Sequence, residues 1–349
     1  MKLELGNTLK ELRLSKKLSI KQVEEKTGID KSLITRFEKS NRTPNKTHIN
    51  QLATLYKVSP KSLNVLLLSE KIYSLLEFEE NALEALIVVE NRVEYESKKK
   101  PVLINFKEVD ELKKQLDNLR PLPKAQLLKL YEYYKIDYTF NSNKIEGNTL
   151  TLRETALVVE KGFTISGKSM HEHLEAINHA EAVDLITEFV DNKIEFNEYY
   201  LKQIHALVLR GIDKENAGKY RSINVRISGA EHIPPEPFML TKLMEDYFIF
   251  YETNKSKLHP ILLAAEMHER LVNIHPFIDG NGRTSRLVMN LILLQNGYTI
   301  TSINAEKSNR LKYYQALEEA AINKDKQAFI EFVLNSVKNS LNEFLKIVI

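Results

Sequence analysis

Residues 275–286 read His-Pro-Phe-Ile-Asp-Gly-Asn-Gly-Arg-Thr-Ser-Arg and lie between two amphipathic runs, 261–274 and 287–294. This pattern predicts a helix, a tight loop and a second helix. Gly280 and Gly282 allow backbone conformations that other residues rarely adopt. With one asparagine between them, the amide groups of the loop can converge on an anion at the N-terminus of the second helix. The stretch therefore predicts an anion-binding loop.

The charged side chains around this loop indicate which anion it binds. Arg283 and Arg286 lie three residues apart on one helix face, near the helix N-terminus. Cations are unfavourable there because of the helix dipole, which suggests that a strong anion binds beside them. Guanidinium groups match polyphosphate bidentately. Asp279 can supply an oxygen ligand to Mg²⁺ shared with the phosphate, and His275 can accept a proton near neutral pH. Together these groups indicate transfer of a phosphorus group from a nucleotide to a nucleophile.

The same block resembles the Fic family motif H-x-F-x-D/E-G-N-G-R-x-x-R at every specified position, and it is not a P-loop. The resemblance implies a protein adenylyltransferase, which moves AMP from ATP to a Ser, Thr or Tyr hydroxyl of a protein. It implies that His275 is the catalytic base, that Phe277 anchors the loop in the core and that Asp279 holds Mg²⁺. It implies a nucleotide-binding set formed by Gly280, Asn281, Gly282, Arg283, Thr284, Ser285 and Arg286. A Gly-rich turn with solvated arginines is the competing interpretation.

The composition indicates a chain of two or three domains without disulfides. Its 349 residues can bury more than one core, and it has no cysteine for a disulfide or a thiolate metal site. No apolar run has the length of a membrane-spanning helix, and the first residues lack the apolar stretch of a signal peptide. We therefore expect a cytoplasmic protein with no membrane partner.

The net charge of +3 is unevenly distributed. Residues 1–68 contain 14 Lys and Arg against 6 Asp and Glu, a charge of +8, which leaves −5 for the remainder. A small basic unit at one end of the chain is the electrostatic pattern expected of nucleic-acid binding.

Residues 1–68 are predicted to form a helix-turn-helix domain. The five predicted helices are 5–16, 19–27, 31–39, 47–56 and 60–66. With Gly28 in the turn, the pattern resembles phage-repressor-like (Xre-type) domains, although Ile20 and Glu24 replace the family's usual Gln and Ala. The third helix of such domains enters the major groove of duplex DNA, and the domains usually dimerise on paired half-sites. The predicted DNA-contacting residues are Lys31, Ser32, Thr35, Arg36, Lys39 and Arg42. A protein-docking domain with a basic face is the alternative.

The rest of the chain is predicted to be mostly α-helical. The predicted divisions are a connector at 69–105, the helical N-terminal part of a Fic region at 106–196, and a catalytic core with C-terminal helices at 197–349. Within them, helices are predicted at 69–93, 152–161, 171–191, 197–210, 309–321 and 326–349.

A second motif precedes the core. Residues 142–147 read Ser-Asn-Lys-Ile-Glu-Gly, a helix end with Gly147 as its left-handed terminator. Glu146 in the last turn opposes the helix dipole, so we expect it to have a cationic partner. The segment resembles the Fic inhibitory motif S/T-x-x-x-E-G/N, which implies an inhibitory set of Ser142, Glu146 and Gly147 acting through Arg286. The resemblance also raises AMP removal as a second activity of the same glutamate. A plain helix cap is the alternative.

Residues 222–233 give the one convincing β signal, an alternating run followed by a turn. They predict a short β-hairpin that resembles the Fic flap, on which an extended target peptide would pair. The residues assigned to this target flap are Gly229, Ala230, Glu231, His232 and Ile233. The resemblance also implies that Tyr313 lines an adenine pocket.

Two other functions compete with AMP transfer. One is a Fic-fold transferase that moves phosphate or phosphocholine with the nucleotide reversed. The other is a transcription regulator that binds nucleotide only as a sensor. The sequence specifies neither the target protein, for which the chain itself is one candidate, nor the DNA operator.

Overall fold

The computed structural model describes residues 5–97 and 104–349, with the backbone alone for residues 91–97. The chain divides into two compact units, Met1–Glu96 and Ser97–Ile349. Both are α-helical, as predicted. No helix among the described residues is long and apolar enough to span a membrane.

The N-terminal unit contains the predicted helix-turn-helix. Its helices are α1 (Leu5–Ser15), α2 (Ile20–Thr27), α3 (Lys31–Glu38), α4 (Lys46–Tyr56), α5 (Pro60–Leu76) and α6 (Ala82–Ser97). Ser19 begins α2 with a capping box, and Gly28 ends it in the left-handed conformation, at φ 74°. The first five helices therefore follow the predicted order, with α5 longer than predicted.

The predicted single helix at 69–93 is wrong, because residues 77–81 form turns between α5 and α6. Glu77, Glu79 and Glu80 follow the C-terminus of α5, where carboxylates oppose the helix dipole. The sequence has no Pro or Gly there, so charge is the one local signal for the break.

A buried ion pair joins the ends of α1 and α3. Arg13 donates through Nε and Nη2 to the Glu38 carboxylate at 2.6 and 2.8 Å. Both residues are buried beside an apolar core that includes Val23, Ile34 and Ile49. The pair fixes α3 against α1.

The C-terminal unit is built around one helix that is buried on all sides. Its helices are α7 (Lys107–Asn118), α8 (Lys124–Ile145), α9 (Leu152–Lys161), α10 (Met170–Asp191), α11 (Glu198–Val208), α12 (Leu240–Asn254), α13 (Pro260–Ile274), α14 (Asn281–Gln295), α15 (Lys307–Ile322) and α16 (Gln327–Val348). The central helix is α14, which packs against α8, α10, α11 and α13. Its buried apolar residues are Leu287, Val288, Met289, Leu291, Ile292 and Leu293.

The helices predicted at 152–161, 171–191, 197–210, 309–321 and 326–349 are present with small shifts at their ends. Helix α12 was not predicted, although Leu240, Met244, Tyr247 and Tyr251 recur at helical spacing and are buried.

The predicted β-hairpin at 222–233 is wrong, because the described residues include no strand and this segment is irregular. Its turn is present, closed by the Ala230 amide on the Ile227 carbonyl at 3.3 Å. The two arms hydrogen-bond to the domain instead of to each other. Pro234 and Pro235, on the returning arm, also lack the amide hydrogens that a ladder needs. We refer to residues 222–235 as the target loop.

The buried pair in the N-terminal unit leads to a stability prediction. Glu38→Leu alone should lower the free energy of unfolding of this unit by about 3–5 kcal/mol, because Arg13 then keeps a buried charge without its carboxylate. Arg13→Met/Glu38→Leu should recover most of that loss, since both charges are removed. Hydrogen exchange at the amides of Val23 and Ile49 measures the opening free energy of this unit. Equal losses in the single and double variants would contradict the prediction.

Candidate active site

The loop between α13 and α14 is held closed by its own asparagine. The Asn281 side chain accepts from the Phe277 amide at 3.0 Å and donates to the Phe277 carbonyl at 2.8 Å. Phe277 is fully buried in the core, as the sequence predicted. Gly280 precedes α14 with φ 76°, a conformation that favours glycine. The loop therefore presents the N-terminal amides of α14 in a fixed position.

His275 ends α13 in the left-handed conformation, at φ 50°. Its Nδ1 lies 3.2 Å from the Val272 carbonyl, which can only accept a hydrogen bond. Nδ1 therefore carries the proton in that contact, and Nε2 is the nitrogen that can accept another. Burial, more than the nearby charge of Arg221, lowers the pKa of His275 below its usual value of 6.5. The imidazole is thus neutral at pH 7 and competent as a base.

His205, which was not predicted as a site residue, packs against the same loop. The His205 ring stacks on Phe277 with 3.6 Å between ring centroids. Its Nδ1 accepts from the Gly218 amide at 2.9 Å, so Nε2 carries the proton that bonds to the Asp279 carbonyl, also at 2.9 Å. Burial lowers the pKa of His205 to about 4, which keeps this arrangement neutral. Its sequence neighbourhood, an ordinary amphipathic helix, gives no sign of this role.

Asp279 is the one predicted metal ligand, and its side chain is 59% exposed. One carboxylate oxygen accepts from the Gly280 amide at 2.6 Å and the other from Arg283 at 3.1 Å. Among the described residues, no three His, Asp or Glu side chains converge as a metal cage. Mg²⁺ is commonly held by one or two carboxylates with substrate phosphates and water. An exposed single carboxylate beside an anion-binding helix end fits that mode.

Arg283 is buried and already has two carboxylate partners. Its Nη1 donates to Glu175 of α10 at 2.7 Å, and its Nη2 donates to Asp279. Glu175 in turn accepts from Asn148 at 2.9 Å. In this arrangement Arg283 orients the Asp279 carboxylate, a role that the predicted phosphate clamp did not include.

Arg286 is the largest fully buried side chain of the chain's described residues, at 1% exposure. Its guanidinium donates to the Ser142 hydroxyl at 3.0 Å, to the Ser142 carbonyl at 2.9 Å and to the Glu146 carboxylate at 2.6 Å. Burial alone would lower the pKa of Arg286, but the nearby charge of Glu146 raises it above its usual value. Ser142 and Glu146, two of the residues predicted to be inhibitory, therefore lie in direct contact with Arg286.

The end of α8 delivers Glu146 to this position. Gly147 follows with φ 105°, and the amides of Gly147 and Asn148 bond back to the carbonyls of Lys144 and Asn143 at 3.1 Å. This is the left-handed termination that the sequence predicted. The carboxylate then reaches so close to Gly282 that a β-carbon at residue 282 would overlap it. A side chain at residue 282 would therefore require the Glu146 carboxylate to move.

Three other residues predicted to contact the nucleotide, Thr284, Ser285 and Tyr313, are buried. Thr284 and Ser285 are fully buried, so their side chains cannot reach a ligand in this conformation. Tyr313 is 1% exposed, and its hydroxyl lies 3.3 Å from Arg286 and 3.1 Å from His268. Its ring therefore has no open face for adenine, whereas the neighbouring Tyr314 is partly exposed and donates to the Ile145 carbonyl at 2.9 Å. Tyr314 is the better placed of the two.

The predicted target-flap residues lie together in the target loop. The Glu231 amide donates to Glu318 of α15 at 2.9 Å, and His232 Nε2 lies 2.9 Å from the Asn273 carbonyl, two residues before His275. Exposed residues at the tip are Gly229, Ala230, Glu231 and Ile233. The target loop therefore contacts, through the His232 side chain, the end of α13 just before His275, although it forms no hairpin.

The predicted DNA-contacting residues lie on α3 and just after it, in the N-terminal unit. Exposed among them are Lys31, Ser32, Arg36, Lys39 and Arg42, while Thr35 is half-buried. The Thr35 hydroxyl donates to the Lys31 carbonyl at 2.8 Å. Glu24, one of the two departures from the repressor-like pattern, accepts from the Lys31 amide at 3.0 Å and so caps the start of α3. That departure therefore fits the fold.

Comparison with known protein families matches both units. The Fic/DOC family matches residues 195–293, and a helix-turn-helix domain family matches residues 4–66. The first range contains the whole α13–α14 loop, and the second contains the predicted recognition helix.

Among curated proteins, the chain is similar to the protein adenylyltransferase Fic of Drosophila persimilis, at 36% identity over 209 residues. That match covers 60% of this chain and 40% of the relative. The protein of the same name from Culex quinquefasciatus is 35% identical over 242 residues, which cover 69% of this chain and 47% of the relative. The chain therefore spans less than half the length of these curated relatives.

Among solved structures, a Fic domain-containing signaling protein from Bacteroides thetaiotaomicron has a TM-score of 0.63 at 26% identity, covering 69% of this chain and 97% of that one. A Fic family protein from Desulfovibrio desulfuricans has a TM-score of 0.59 at 26% identity, covering 71% of this chain and 77% of that one. The chain therefore contains a Fic/DOC domain, matched at residues 195–293, and a helix-turn-helix domain that precedes it, matched at residues 4–66.

Proposed function

We propose that this chain transfers AMP from ATP to a hydroxyl group of a protein. The observation that carries the proposal is the α13–α14 junction, where a neutral imidazole and the N-terminal amides of a helix meet in one short loop. The similarity to proteins named protein adenylyltransferase Fic supports the same reaction.

In this proposal His275 accepts the proton of the target hydroxyl through Nε2, and the hydroxyl oxygen attacks the α-phosphorus of ATP. The bond to the β-phosphate breaks, and pyrophosphate leaves. The amides at the start of α14 bind the phosphates, because a helix N-terminus favours anions. Asp279 would hold Mg²⁺, which neutralises phosphate charge when bound.

Glu146 acts as a brake in this proposal, because it occupies the guanidinium of Arg286 that a terminal phosphate of ATP would otherwise bind. ATP could still enter with its α-phosphate turned away from in-line attack. A charge-assisted hydrogen bond of this kind contributes about 1.5–3 kcal/mol, which corresponds to roughly ten- to hundredfold suppression.

The N-terminal unit is proposed to bind duplex DNA through α3. Support comes from the match to a helix-turn-helix family and from the exposed Lys31, Arg36 and Arg42 on a unit that carries +8 over residues 1–68. DNA binding would then place the transferase at a chromosomal site.

Two alternative functions remain distinct in their products. Mass analysis of the purified protein after incubation with Mg-ATP would show added AMP for the proposed reaction. Added phosphate would indicate phosphate transfer with the nucleotide bound in the reversed orientation. An unchanged mass of both the wild type and a Glu146→Gly variant would favour a regulator that only senses nucleotide. No contact in the site specifically favours either alternative.

His275→Ala should reduce AMP transfer by roughly 10²–10⁴-fold, the usual contribution of a positioned base. ATP binding should persist, because the phosphate-binding amides remain. Since the pKa of His275 lies below 6.5, the wild-type rate should hold at pH 7 and fall only at more acidic pH, as the imidazole becomes protonated. Initial rates of labelled AMP incorporation across pH measure both effects.

The matched control is His259→Ala, which removes a histidine from the opposite end of α13, where its ring stacks on Phe106. This control should retain transfer. Equal loss in the two variants would attribute the effect to α13 packing and would remove His275 from the mechanism.

Glu146→Gly should raise the initial rate of AMP incorporation roughly ten- to hundredfold, because Arg286 becomes available to ATP. Arg286→Ala should lower the rate even in the Glu146→Gly protein. Self-modification with labelled ATP is the first measurement, at equal Mg-ATP.

Glu77→Gly provides a control for loss of a helix-terminal glutamate, since Glu77 also follows the last residue of its helix. Its rate should equal that of wild type. If Glu146→Gly incorporated AMP no faster than wild type, Glu146 would be an ordinary helix-terminal carboxylate.

Replacing Lys31, Arg36 and Arg42 together with Ala should weaken binding of the full chain to duplex DNA. The slope of log affinity against log salt should fall by roughly one for each lost phosphate contact. Lys61→Ala, on the exposed side of α5, should have little effect. Wild-type protein that fails to retain DNA even at low salt would favour the protein-docking alternative.

A further inference from the structure

Arg221 connects the catalytic histidine with both ends of the target loop. Its Nε donates to the His275 carbonyl at 2.8 Å, Nη1 to the Ile223 carbonyl at 2.9 Å and Nη2 to the Pro235 carbonyl at 2.5 Å. Its own amide donates to the Pro276 carbonyl at 2.9 Å. One side chain thus fixes the two ends of a loop and the residue on which the chemistry depends.

The chemistry of this contact is unusual for a buried cation. Arg221 is 3% exposed, and none of the ion pairs among the described residues includes it. Burial lowers its pKa, as expected for a charge held only by neutral carbonyls. A buried charge is costly without a carboxylate partner, so an apolar side chain would serve better if packing were its only role.

The rest of the target loop depends on this contact for its position. Between residues 222 and 235 the backbone makes one internal hydrogen bond, the turn at Ala230. Two further contacts hold the loop near its tip, from Glu231 to Glu318 and from His232 to Asn273. Arg221 alone contacts both arms, so it sets their separation and their distance from His275.

We infer that Arg221 is a positioning residue that sets the register between the target loop and His275, so that an extended peptide on the loop places its hydroxyl at the base. This inference rests on the proposed transfer reaction and adds the residue that aligns the protein substrate. A second consequence follows from its charge, because burial lowers the pKa of His275 most and the charge of Arg221 lowers it further.

The test distinguishes the effect of the Arg221 charge from the effect of its three hydrogen bonds. Arg221→Lys keeps the charge but cannot reach three carbonyls at once, whereas Arg221→Met loses both. Hydrogen exchange at the Ala230 and Glu231 amides, which are the hydrogen-bonded amides of the loop, should accelerate about tenfold or more in both variants, the change expected for losing a hydrogen bond of about 1.4 kcal/mol. An NMR titration of the His275 imidazole, assigned by comparison with His275→Ala, should move to higher pH in Arg221→Met only.

AMP incorporation supplies the functional measurement, made in the Glu146→Gly protein. Both variants should lower the rate at least tenfold while ATP affinity measured by calorimetry stays unchanged, and the acidic limb of the pH profile should move to higher pH in Arg221→Met alone. Arg270→Met is the matched control, because Arg270 is a largely buried arginine that pairs with Glu266 and lies over the Phe250 ring.

Unchanged loop exchange in both variants would overturn the inference, as would a His275 titration that responds equally to Lys and Met. These two measurements need no catalysis. If the Glu146→Gly protein incorporated no AMP, the proposed reaction would fail, while exchange and titration would still decide the role of Arg221. Should Arg221→Met not fold, the Arg221→Lys protein retains the exchange and rate criteria.

Discussion

The site depends on the burial of the Arg286 guanidinium. A cation at 1% exposure must have its donors satisfied, and this structure satisfies them from α8 and α15 at once. Ser142 supplies a hydroxyl and a carbonyl, Glu146 a carboxylate and Tyr313 a hydroxyl. Because α14 is buried on all sides, this guanidinium cannot turn to solvent when a partner is removed. In the proposed reaction, an anionic ligand that binds this guanidinium would compete with the Glu146 carboxylate for it.

The loop between α13 and α14 is also held by buried neighbours. Asn281 closes it onto Phe277, His205 supports Phe277 and the Asp279 carbonyl, and Arg221 holds the carbonyl of His275. Among the described residues, these contacts leave Nε2 of His275 without a hydrogen-bond partner, and the exposed Asp279 carboxylate bonds only to the Gly280 amide and to Arg283. Asn281, His205 and Arg221 therefore hold the loop backbone and the Phe277 ring in place, while His275 and Asp279 are the side chains proposed to meet the substrate.

Prediction from sequence succeeded where the responsible residues are close in the chain. Residues 275–286 form the predicted tight loop and the start of the helix that follows it, and residues 142–147 contain a complete helix termination. It failed at 222–233, because alternation describes an extended segment but not the partner with which it pairs. It also assigned Tyr313 to an adenine pocket, whereas the helix rotation buries Tyr313 under Arg286 and leaves Tyr314 partly exposed.

The sequence by itself determined the helical class, the tight loop before α14, the left-handed end of α8 and the basic unit at residues 1–68. These are local properties, set by side-chain periodicity, by glycine dihedral freedom and by charge. The motif resemblance implied that Glu146 acts through Arg286, and the tertiary structure places the two in contact. Only the tertiary structure decided that Glu175 holds Arg283 and that His205 and Arg221 support the loop. Those partners are separated by 54 to 140 residues, as for Arg221–His275 and Glu146–Arg286, and their meeting follows from how α8, α10 and α11 pack around the buried α14.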